Sequence, residues 1–140
     1  MNKNSLFIAI VSSFLLIPSS NAASTDELSS NLMIEQSIVN SEVIKFKNDE
    51  KLYPEASDFK IIHSVTMSNE RGERWATLTI SNQATGRRIL KNHHIMAVFA
   101  NGKRRFPIID ENTFESNETL SLSVYFGKSK FPILKLLTRE

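Results

Sequence analysis

From Phe59 onward, apolar side chains recur at every second position, and this period constrains the fold more than any other feature of the sequence. In "DFKIIHSVTM", Phe59, Ile61, His63, Val65 and Met67 alternate with Lys60, Ile62, Ser64 and Thr66. "WATLTISN" sets Ala76, Leu78 and Ile80 against Trp75, Thr77 and Thr79, and "LSLSVYF" sets Leu120, Leu122, Val124 and Phe126 against Ser121, Ser123 and Tyr125. Neighbouring side chains on a strand point to opposite faces, so each segment reads as a strand covered on one face. Gly72, Gly86 and Gly127 mark turns between them, and "HIMAVFA" and "FPILKLL" supply further strands. About six or seven such strands, with few helix signals, predict an all-β antiparallel sandwich. Between "HIMAVFA" and "KRRFPI" stands Asn101-Gly102, the dipeptide of a two-residue hairpin turn in which both residues take positive φ.

The chain opens differently. "MNKNSLFIAIVSSFLLIPSSNAAS" carries Lys3, an apolar run from Leu6 to Ile17, Pro18, and small residues at Ser20, Ala22 and Ala23. That is the layout of a secretory signal peptide over residues 1–22. Its apolar run falls short of the ~20 residues that span a bilayer. A flexible leader over 23–31 and one domain over 32–140 follow, with no transmembrane segment expected in the exported chain. "LMIEQSIVNSEVIKFKN" fits a short helix or irregular arm and then a strand, and "KNDEKLYPEASD" is a charged loop punctuated by Pro54.

Export would permit disulfides, yet the chain has no cysteine, so packing must stabilise it and thiol chemistry is excluded. Charge is segregated: residues 26–58 sum to −5, residues 59–109 to +7 and residues 110–140 to −1. Such blocks predict a basic face, formed by Arg87, Arg88, Lys91, Lys103, Arg104 and Arg105, that meets an envelope protein, an anionic glycan or a lipid head group. On that reading, reversing Arg104 and Arg105 to glutamate abolishes capture and leaves stability nearly unchanged. The competing expectation is that the blocks interleave on folding into ordinary solvated surface.

A metal reading draws on the same stretch, "NHHIMAVFANGKRR". Two residues apart on one strand, His94 and Met96 share a face, as do His63 and Met67 on another. If those faces meet, imidazole and thioether donors suit Cu(I). "HIM" resembles the His-x-Met pair of periplasmic copper chaperones of the PCuAC type, and the resemblance implies copper as cofactor with His63, Met67, His94 and Met96 as ligands. Packing within the sheets explains the same methionines without a metal.

The run "ATLTISNQATGRRILKNHHIMAVFANGKRRFPI" and the later "FESNETLSLSVYFGKSKFPILKL" resemble the latter half of small extracytoplasmic immunoglobulin-like domains, over residues 75–137. The resemblance implies an immunoglobulin-like sandwich and carries no functional residues. Nucleophile elbow, His-Glu-x-x-His segment and Gly-rich phosphate loop are all absent, which argues against an enzyme and assigns no catalytic residue. The basic block lacks the interleaved aromatics that stack bases, which argues against nucleic acid. The expectation is therefore a periplasmic or secreted, non-enzymatic binding or accessory module without a cofactor, with a Cu(I) chaperone as the alternative.

Overall fold

The computed structural model describes residues 31–35, 44–47, 49 and 51–140. The expected signal peptide, and all of the leader but its last residue, lie outside them. The described residues are all-β, with nine strands: β1 Met33–Glu35, β2 Phe59–Ser68, β3 Glu73–Asn82, β4 Arg88–Leu90, β5 Met96–Phe99, β6 Arg104–Arg105, β7 Asn112–Phe114, β8 Thr119–Lys128 and β9 Ile133–Leu137. They form an antiparallel sheet β1-β2-β3-β8, a second sheet β6-β5-β9, and a ribbon β4-β7. No helix among the described residues is long and apolar enough to cross a membrane.

All three sheets contribute to one core. Ala76, Leu78 and Ile80 of β3 and Val124 and Phe126 of β8 meet Ile95, Ala97 and Phe99 of the β5 segment, with Phe59, Leu90, Phe114 and Ile133 completing the cluster. The alternation in β3 and β8 is thus read out as two layers packed across their apolar faces. On the outward face of the first sheet, Thr77 and Thr79 share hydrogen bonds with Ser123 and Ser121, at 3.0 and 2.9 Å, and Trp75 lies against Tyr125.

The phase of β2 departs from expectation. Ile61 pairs with Ile80 and His63 with Thr79, leaving Ile62 as an extra, bulged residue. A bulge of one residue inverts every later side chain. His63, Val65 and Met67 therefore share the outward face with Thr79, Thr77 and Trp75, while Ser64 and Thr66 join the side of Leu78 and Ala76.

The β5-β6 hairpin also differs in its turn. Gly102 takes φ 79°, but Asn101 keeps a negative φ. The Gly102 N–H donates to the Phe99 carbonyl and the Phe99 N–H to the Lys103 carbonyl, both at 2.9 Å. This is a three-residue loop closed by a glycine bulge, which spares Asn101 the left-handed conformation a two-residue turn would impose. Before β2, the expected short helix or irregular arm gives way at Met33–Glu35 to a strand paired with β2, held further by the Arg74–Glu35 ion pair. Ile44–Phe46, expected as strand, is irregular, and it leads into the loop that covers the second sheet.

Candidate functional site

β5 and β9 each turn one face to the core and the other outward. Ala97 pairs with Leu136 on the core side; Met96 with Leu137 and Val98 with Lys135 lie on the far side. Residues 44–47, 49 and 51–54 lie over that far side, leaving a cleft of about 260 Å³ whose apolar walls include Phe46, Tyr53, Val98, Leu134 and Leu137. Arg104, Lys135 and Arg139 are the cations of its lining and Asp49 its acid. The covering loop is anchored at its end by backbone bonds, Glu55 N–H to the His93 carbonyl at 2.9 Å and Ser57 N–H to the Arg139 carbonyl at 2.8 Å.

Arg104 is the strongest tie between loop and sheet. Its guanidinium grips both carboxylate oxygens of Asp49 at 3.0 Å, donates to the Leu52 carbonyl at 2.8 Å, and lies 4.7 Å from the centre of the Tyr53 ring. Such a fork-to-fork pair is geometrically specific to arginine. Arg105 points elsewhere, donating to the Lys128 carbonyl at 2.8 Å beside the Phe99 ring.

The other cations expected to form a basic face are also engaged. Arg87 pairs with Glu115 at 2.9 Å, Arg88 with Asp58 at 2.6 Å and Lys91 with Glu111 at 3.1 Å. Asp49 and Asp58 come from the acidic block, so folding interleaves the segregated charges of the sequence. Of the six, Lys103 and Arg105 make no ion pair among the described residues, Arg105 donating to backbone carbonyls instead. They also fall in two groups, Arg87, Arg88 and Lys91 beside the β4-β7 ribbon and Lys103, Arg104 and Arg105 at the β5-β6 hairpin. By contrast Lys135 and Arg139, which the charge-block reading did not single out, have no ion pair among the described residues and line the cleft.

The four residues expected to bind copper are not brought to one point. His63 and Met67 lie on the outward face of the first sheet, whereas Met96, 0% exposed, lies on the far face of the second. His94 does not share a strand face with Met96: strand pairing begins at Met96, and His94 ends a 3-10 turn over Asn92–His94 that precedes it. That turn instead stacks the His93 and His94 rings edge to face, centroids 4.5 Å apart, and brings both to Glu55. Burial lowers the His94 pKa from its ordinary value, as do the charges of His93 and Lys91, while Glu55 opposes them.

Comparison of the chain with protein-family models, curated proteins and solved structures returns no match in any of the three. Sequence reading missed Glu55 and His93 as a pair because 38 positions separate them and only the loop's return onto the second sheet joins them; Lys135 and Arg139 sit in the last strand and just after it, outside the basic block.

Proposed function

We propose that the chain is an exported, non-enzymatic binding or accessory module of the cell envelope, immunoglobulin-like in type, that captures a protein partner at the cleft lined by Phe46, Asp49, Tyr53 and the far face of β5 and β9. The partner inserts one apolar anchor side chain between Phe46, Tyr53, Val98 and Leu137, and its carboxylates meet Lys135 and Arg139. The observation that carries this reading is the pairing of an apolar cleft with two cations that have no ion pair among the described residues. A volume of about 260 Å³ is small beside the ~300–1,000 Å³ of small-molecule sites. A single anchor in a desolvated pocket, ringed by polar contacts, is the usual hot spot of a protein interface.

The test places a photo-crosslinking amino acid at Leu134 in the purified protein, with a control at the exposed Ile108, in the connection between β6 and β7 and outside the cleft lining. Incubation with native envelope should yield one discrete protein adduct at Leu134 and none at Ile108. Lys135→Glu/Arg139→Glu should weaken the identified complex at least about tenfold with melting temperature retained, as loss of complementary charge predicts. Adducts to lipid or glycan, or capture indifferent to the double reversal, would overturn the proposal.

A further inference from the structure

We propose that Glu55, His93 and His94 form a binding site for a divalent transition cation of the zinc(II) class, which fastens the loop before β2 to the turn before β5. One donor atom from each residue lies within 4.8 Å of the other two, and Glu55 Oε2 stands 3.3 Å from His93 Nε2. Donors at the ~2.0–2.1 Å zinc distance subtend a tetrahedral edge of roughly 3.3 Å, so this pair is already spaced for one ion. The remaining donor must move inward by up to roughly 1.5 Å, which the exposed Glu55 and a short turn allow.

The backbone holds this arrangement before any ion arrives. The Glu55 N–H donates to the His93 carbonyl at 2.9 Å, and the 3-10 turn sets the two imidazoles edge to face at 81°. Two nitrogens and a carboxylate oxygen suit zinc and its neighbours; thioether-seeking Cu(I) finds no sulfur among them, and calcium or magnesium would require six or more oxygens. With three protein donors, water completes the coordination. Lys91, one residue before the turn, is held by Glu111 at 3.1 Å.

One bond opposes the ion. The Lys91 N–H donates to His94 Nδ1 at 3.1 Å and occupies the single lone pair of the neutral ring. A metal at Nδ1 displaces that hydrogen bond directly; a metal at Nε2 requires the proton to move to Nδ1, with the same result. Binding therefore belongs in the micromolar range, and it carries a signature: the Lys91 amide loses its acceptor.

The experiment titrates Zn(II) alone into the purified protein at neutral pH, followed by calorimetry and by backbone amide NMR. One equivalent should bind with Kd of order 1–10 μM, with the Lys91 amide shifting and exchanging faster. His93→Gln and Glu55→Gln should each weaken binding about tenfold or more, while Met67→Leu and Met96→Leu leave it unchanged. Since His93 and Glu55 are partly exposed, both variants should keep the wild-type amide spectrum elsewhere. No binding at about 100 μM Zn(II), binding undiminished in both variants, or equal binding of Ca(II) would overturn the proposal.

Discussion

Replacing Arg104 by methionine keeps most of the side chain's apolar stem and removes its fork. The Arg104 side chain is only 8% exposed, but its partner Asp49 is 42% exposed, so water screens that ion pair and its share is about 1 kcal/mol. The bond to the Leu52 carbonyl and the contact with the Tyr53 ring add about 1 kcal/mol each. The expected loss is therefore about 3 kcal/mol. At roughly 2.1 cal/mol/K per residue over a cooperative unit of ~100 residues, 1 kcal/mol corresponds to ~5 °C, so the melting temperature should fall by ~10–15 °C in a calorimetric scan. Arg104→Glu should cost more, because it faces Asp49 with a like charge. This reverses the expectation, drawn from the charge blocks, that reversal at Arg104 leaves stability nearly unchanged. A cycle combining Arg104→Met with Asp49→Asn should return a coupling near 1 kcal/mol. A fall below ~3 °C for Arg104→Met, or no coupling, would refute the clamp and with it the preformed cleft.

Asn82 is 0% exposed, donates to the Gly86 and Glu115 carbonyls at 2.9 and 2.8 Å and accepts from the Ala84 N–H; Asn82→Leu should cost about 3 kcal/mol in urea unfolding, against under ~0.5 kcal/mol for Thr79→Val on the outward face. Gly102→Ala, forced to φ 79°, should lose about 1–2 kcal/mol by the same assay, whereas Asn101→Ala, with its negative φ, should lose far less. Phe126→Ala in the core should cost about 3–5 kcal/mol and leave an unfolding transition that remains cooperative. Arg87→Ala and Arg88→Ala, at exposed ion pairs, should each move stability by less than ~1 kcal/mol.

Much of the fold was legible in the chain. The alternation in β3 and β8 assigned Leu78, Ile80, Val124 and Phe126 to the core and Thr77, Thr79, Ser121 and Ser123 to the other face, as found. The same rule failed in β2 beyond Ile61, because a bulge has no signature in a run of β-branched and polar residues; it exists only where ten residues of β2 meet ten of β3. The Asn-Gly pair signalled a hairpin correctly but not its loop length, which depends on where Phe99 and Lys103 pair. Counting charges found the basic block, and it could not show that Asp49 and Asp58 return to neutralise Arg104 and Arg88.

The sequence by itself determined what is local: strand periodicity, the positions of turns, a cysteine-free core and the segregation of charge. These follow from side-chain direction and backbone sterics within a few residues. The tertiary structure alone decided the phase of β2, the self-neutralisation of the basic cations, the cleft above β5 and β9, and the meeting of Glu55 with His93 and His94. Each of these depends on contacts between residues far apart in the chain, and pairing, packing and Coulomb attraction act through distance in space.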